Sequence, residues 1–182
     1  MDVREAQREV RSVYLGGAPG QAVSGALWLA SAALASAGAP RRAMAVLVIG
    51  GFFIYPVTML LLKLLGRRAS LARGNPLGAL AMQVAFTVPA GLPLVWAATV
   101  HRAEWFYPSF MILVGAHYLP FVFLYGMRHF AVLAGLLVAG GVFLLAAPGA
   151  PLATGGWATG AVLVAFAALG GALARSEARA GA

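Results

Sequence analysis

Apolar residues run along this chain in six long stretches, and short breaks rich in proline, glycine and arginine separate them. A bilayer's hydrocarbon core, about 30 Å thick, needs about 20 apolar residues in helical form. The runs at about 20–38, 43–65, 77–100, 105–125, 130–147 and 155–174 each meet that length. Ala39-Pro40-Arg41-Arg42, Gly66-Arg67-Arg68 through Gly74-Asn75-Pro76, His101-Arg102-Ala103-Glu104, Gly126-Met127-Arg128-His129 and Pro148-Gly149-Ala150-Pro151 form the breaks. Proline and paired arginines both resist continuation of a helix into lipid. The connectors are too short to fold separately, so the pattern predicts one all-α membrane domain over 1–182, a polytopic bundle of six transmembrane helices.

The first fifteen residues follow a different rule. Val3, Val10, Val13 and Tyr14 fall on one side of a helix, and Arg4, Arg8 and Arg11 line another, with Glu5 and Glu9 within reach of arginines three or four residues away. This predicts an amphipathic helix over 1–15, lying at the membrane interface or packed on the bundle. Gly16-Gly17-Ala18-Pro19 then turns the chain into the first span. Ala35-Ser36-Ala37 has the small-x-small form of a signal-peptide cleavage site. The segment before that run is long and carries Asp2, Glu5 and Glu9, which favours a retained span.

Composition confirms the class. Hydrophobic residues make up 62% and charged residues 10% of the 182, and the mean hydropathy is +0.87. A soluble domain runs near half apolar and a quarter charged. With no cysteine, a disulfide scaffold is excluded as well. The net charge of +8 would suggest nucleic acid in a soluble domain. Here the cations are dispersed among the gaps between spans, where they orient a membrane protein instead, and no nucleic-acid partner is expected. With both termini cytoplasmic, that side receives Arg4, Arg8, Arg11, Lys63, Arg67, Arg68, Arg73, Arg128, Arg175 and Arg179. The far side receives Arg41, Arg42 and Arg102, so the positive-inside rule favours this orientation. The lipid bilayer is the expected partner. Anionic headgroups could bind along the Arg67–Arg73 connector, each surface cation contributing about 1 kcal/mol, although topology alone also accounts for these arginines.

Small residues four apart, at Gly16 and Gly20, Gly156 and Gly160, and Ala167 and Gly171, allow close helix approach, as do Gly135, Ala139 and Gly140. Internal packing is the favoured use, with a homo-oligomer left open. Pro56, Pro89, Pro93, Pro108 and Pro120 all lie in the second to fourth runs, where each frees a backbone carbonyl. Any cavity is therefore expected among the first four spans. Gly51-Phe-Phe-Ile-Tyr-Pro56 and Gly115-Ala-His-Tyr-Leu-Pro120 echo one another in spacing.

No aspartate or glutamate sits near the centre of a span, where ion-coupled transporters usually carry them. No hydrolase, zinc-protease, P-loop or Rossmann pattern occurs. An enzyme, a cofactor and a metal site are therefore not expected. His101 and His129 fall on opposite membrane surfaces, which separates the three histidines. His117, near the middle of the fourth run, is the best lead for a site, since an imidazole in hydrocarbon needs partners. Val114, His117, Phe121 and Arg128 share one helical stripe. Tyr118, Gln83, Gln21, Tyr55, Thr58 and Thr87 are the polar groups that could line a pocket with it. Each could equally bond across helices as a structural contact. Two functions follow: small-solute transport, conduction or ligand binding in a cavity of the first four helices, or a non-catalytic scaffold or partner subunit.

The strings Tyr14-Leu-Gly-Gly-Ala-Pro-Gly20, Ser24-Gly-x-x-Trp28, Gly74-Asn-Pro-Leu77, Gly115-Ala-His-Tyr118 and Leu124-Tyr-Gly-Met-Arg128 resemble those of an uncharacterised family of small bacterial six-helix inner-membrane proteins. The resemblance implies a bacterial cytoplasmic-membrane location and supplies no activity, ligand or catalytic residue. Arginine provides every cation but Lys63, which is compatible with a GC-rich bacterial source.

Overall fold

The computed structural model describes residues 1–147 and 149–180, with the backbone alone for Ala178 and Ala180. Among the described residues the regular structure is all helical, with no strand. Helix α1 (Val3–Tyr14) starts at a capping box in which the Asp2 carboxylate accepts from the Glu5 amide and Glu5 accepts from the Asp2 amide. It ends at Leu15, Gly16 and Gly17, whose φ values of 50°, 65° and 82° are all left-handed. Two glycines make that reversal inexpensive, and Pro19 then sits in the first turn of α2 (Ala18–Ser36).

Helices α3 (Pro40–Gly51) and α4 (Ile54–Leu64) meet at a 57° bend across Phe52 and Phe53. Helix α5 (Leu77–His101) stays continuous through Pro89 and Pro93. Helices α6 (Phe106–Tyr118) and α7 (Phe121–Tyr125) are parted at Leu119 and Pro120, and α8 (His129–Ala146) and α9 (Thr154–Ala180) complete the chain. The echoed Gly-x-x-x-x-Pro strings are thus the two broken helices, in different registers: Pro56 lies inside α4, whereas Pro120 precedes α7.

Leu77–His101, Ala103–Tyr125, His129–Ala146 and Thr154–Glu177 are long and apolar enough to cross a membrane, and α3 with α4 adds a fifth crossing if the bent pair is one span. The 19-residue α2 has the length, but Gln21, Ser24, Ser31 and Ser36 dilute its apolar character. Large apolar side chains cover the outside as well as the core, and several polar ones are inside. Ile49, Phe52, Phe86, Leu94 and Phe143 are exposed, whereas Gln21, Ser24, Ser31 and Thr159 are buried.

Neighbouring helices run antiparallel and meet at glycines. A Cβ on Gly25 of α2 would lie 2.8 Å from Val164 Cγ2 and 3.1 Å from the Gly160 carbonyl of α9. Gly160 is filled by Leu29, and Gly156 by Ala32 and Tyr107. On the second hairpin, Gly115 of α6 receives Val138, and Gly141 of α8 receives Ile112. Gly50 receives Leu27, and Gly91 receives Leu113. Close backbone approach supplies the dispersion contacts that hold helices together in lipid. The small-residue spacings at Gly156, Gly160 and Gly171 thus pack internally, whereas Gly135 faces open space.

Helix α1 crosses one end of this bundle. Its apolar face, Ala6, Val10 and Val13, is buried. Glu9 reaches the 66–76 connector, and Gln7 and Arg11 reach the end of α7 and the last turns of α9. The N-terminal helix, that connector and the C-terminal turns therefore share one end, where the cations counted above gather. Arg102 lies at the other end, beside the turn after α8.

Candidate functional site

The seam between α5 and α6 gathers three of the seven candidate residues, His117, Tyr118 and Thr87. His117 Nδ1 lies 2.8 Å from Thr87 Oγ1, and the Thr87 hydroxyl is also 2.8 Å from the Val84 carbonyl, to which it donates. A threonine has one hydroxyl proton. Donated to Val84, that proton leaves the oxygen to accept from His117, which places the imidazole proton on Nδ1. Tyr118 is buried, with its ring 5.6 Å from His117 and stacked at 14° on Phe130 of α8. Phe121 meets the imidazole edge-on at 5.0 Å, brought there by the chain break at Pro120. Gln83, one turn before Thr87 on the same face of α5, is exposed. The expected stripe ends at Phe121, because breaks at Leu119-Pro120 and Gly126 put Arg128 outside that helix.

Gln21, Tyr55 and Thr58 belong to α2 and α4 instead. Thr58 is buried, donates to its own Ile54 carbonyl and packs at Gly20. Tyr55 is exposed on α4. Gln21 is 2% exposed, and neither of its amide atoms has a hydrogen-bond partner among the described residues.

Two clefts lie at the bundle ends, and His117 lines neither. One, of about 290 Å³, is lined by Gly126–His129, Leu173, Ser176 and Glu177. The other, of about 270 Å³, runs from Arg102 and Glu104 to the turn after α8. There Arg102 lies 3.9 Å from Glu104 and over the Trp105 ring.

Sequence reasoning missed two polar assemblies. The first is a clasp made by α1. Glu9 accepts from the Ala72 amide at 2.7 Å and from the Asn75 side chain at 2.9 Å, and Asn75 also donates to the Ala6 carbonyl. Arg11 donates to the Tyr125 carbonyl at 2.6 Å and pairs with Glu177 at 2.8 Å. Gln7 donates to the Phe123 carbonyl. At Gly126 the φ of +65° favours glycine, and a side chain there would push aside the ends of Gln7 and Arg11. The donated hydrogen bonds from Ala72 and Asn75, with Arg68 nearby, hold the Glu9 carboxyl below its ordinary value. The second assembly is deep in the bundle. Ser31, fully buried, donates to the Ala43 carbonyl at 2.8 Å and meets the Tyr107 hydroxyl at 2.6 Å, tying α2 to α3 and α6. The partners in both lie 12 or more residues apart, so local spacing carries no trace of them. Among the described residues, no three His, Asp or Glu side chains gather closely enough to hold a metal ion.

Over residues 3–171 the chain matches a family of unknown function (DUF7010), and it belongs to that family. No curated protein and no solved structure matches it.

Proposed function

We propose that this member of a family of unknown function is a six-pass protein of the bacterial cytoplasmic membrane with both termini in the cytoplasm. We propose that it acts without catalysis, as a structural subunit assembling with a second copy of itself along α5. One observation carries this reading. Helix α5 is 25 residues long and apolar, yet only 11% of its most apolar stretch is buried, and it presents Gln83 on an exposed face. An amide facing hydrocarbon lacks the partners that water would provide. A carboxamide both donates and accepts, so two copies related by a two-fold axis satisfy one another at this position. Interhelical bonds of this kind are worth about 0.6–2 kcal/mol in a membrane.

A solute-binding or conducting role would draw on a polar cavity around His117. The imidazole instead engages Thr87 and lies among Tyr118 and Phe121, which supports a cross-link between helices. The sixth crossing is α2, whose polar residues are turned onto protein. The basic end faces the cytoplasm, and its arginines meet anionic headgroups.

The absence of cysteine makes a clean test available. A Phe86→Cys variant, exposed beside Gln83 on α5 and leaving that glutamine in place, is expected to give a disulfide-linked dimer when oxidised in native membranes, whereas Phe143→Cys, similarly exposed on α8, is not. Equal yields at both positions, or none at Phe86→Cys, would reject assembly along α5.

A further inference from the structure

Three polar atoms converge on Gly170 where α2, α8 and α9 meet. A Cβ built on Gly170 would lie 3.1 Å from the Gly16 carbonyl oxygen, 3.6 Å from His129 Nε2 and 3.7 Å from Gln21 Oε1. Its three nearest neighbours are thus all polar, whereas Gly25, Gly50, Gly91 and Gly156 meet side-chain carbon first. The left-handed run at Leu15–Gly17 brings the Gly16 carbonyl there, since Gly16 at φ +65° seats its backbone directly against that of Gly170. Gln21 is 2% exposed, and neither its amide atoms nor His129 Nε2 have a hydrogen-bond partner among the described residues.

Leaving such groups unsatisfied is expensive, at about 1–3 kcal/mol for each buried donor or acceptor. A buried water usually makes about three hydrogen bonds and needs two to four polar partners. Gln21, His129 and Gly16 supply that number. One of the three, His129, also borders solvent. His129 lines the 290 Å³ cleft at the basic end with Arg128, Ser176 and Glu177, while its Nε2 is turned inward. The histidine side chain therefore stands between the open cleft and the buried amide.

We propose that Gln21, His129 and the Gly16 carbonyl form a water-binding site fed from the cleft at the basic end, so that water enters the bundle between α2 and α9 as far as Gln21. Gly170 is the residue that leaves room for it. The site is independent of assembly along α5, because α5 contributes nothing to it.

Water-edited solid-state NMR of the wild-type protein in lipid bilayers tests this directly. The Gln21 side-chain amide is expected to gain polarisation from water several-fold faster than the backbone amide of Ala32, which is fully buried on the same helix. In a folded Gly170→Ala variant, the added methyl should slow the Gln21 build-up severalfold and leave the exposed Gln83 side chain unchanged. A wild-type Gln21 signal as slow as that of Ala32 would overturn the proposal, whatever the fate of the variant. So would a Gly170→Ala protein in which Gln21 stays as wet as before.

Discussion

Helices α2 and α5 obey opposite rules in the same bundle. α2 contains a glutamine and several serines, and Gln21, Ser24 and Ser31 among them are buried against other helices. Gly25 and Trp28 are buried against α9 and α6, and Ser31 is bonded to two further elements. α5 is the more apolar of the two and leans on α6 through Gly91 and Thr87, with most of its surface outward. In water the enclosed helix would be the apolar one. In lipid the solvent itself is apolar, so hydropathy reports contact with lipid, and polarity is affordable where protein supplies the partners. The polar side chains of α2 are therefore the ones that protein covers, whereas Met82, Phe86 and Leu94 of α5 face outward.

Enlarging a packed glycine should break this contrast most severely. Gly25→Leu would drive carbon into Val164 and the Gly160 backbone. Overpacking costs about 1–3 kcal/mol and sometimes more, and facing backbone cannot yield. The expected outcome is loss of a monodisperse folded species, read by size-exclusion chromatography and thermal denaturation in detergent. Gly135→Leu, on a face with nothing within 4 Å, should leave the melting temperature nearly unchanged. Next in size is Ser31→Ala, which removes the shared partner of Tyr107 and the Ala43 carbonyl. A loss of about 1–2 kcal/mol is expected, measured by the same thermal assay, with Tyr107→Phe losing less because Ser31 keeps its bond to Ala43.

At the seam of α5, the pair Thr87→Val and His117→Ala forms a double-mutant cycle with an expected coupling of about 0.6 kcal/mol. A coupling near zero would remove the cross-link assigned to His117. The smallest effect belongs to the clasp. The Glu9 carboxyl titrates below its ordinary value of 4.5 in the folded protein. Its contribution is therefore present above that value and lost as pH falls through the lower, folded one. Melting temperatures taken from neutral pH down to about pH 3 should fall less in Glu9→Gln than in the wild-type protein.

Much of the fold was legible because lipid selects length and apolarity, which are properties of single segments. The runs at 77–100 and 130–147 match α5 and α8 within one residue at either end. The bends were less so. Pro56 and Pro120 pointed to them, yet the α3–α4 bend falls at Phe52-Phe53, before the proline, and α5 stays continuous through two prolines. Helix α9 continues past the expected end because its last turns leave the apolar region to meet α1 at Glu177. In the candidate site, Thr87 and His117 meet, while Gln21 and Thr58 lie elsewhere. Which face of one helix opposes which face of another depends on crossing geometry, and a single segment does not record it. For the same reason Glu9 could be read as a partner for nearby arginines but not as the ligand of Asn75.

The inverted logic of α2 requires that this helix cross the membrane. Ala37 follows α2 at one end of the bundle, and Ser70 lies in the connector held by α1 at the other; both are exposed. In intact cells of a bacterial host, a membrane-impermeant thiol reagent should label Ala37→Cys at once and Ser70→Cys only after the cells are opened. Labelling of both variants from the same side would contradict the crossing, and with it the account of why the polar side chains of α2 are turned onto protein.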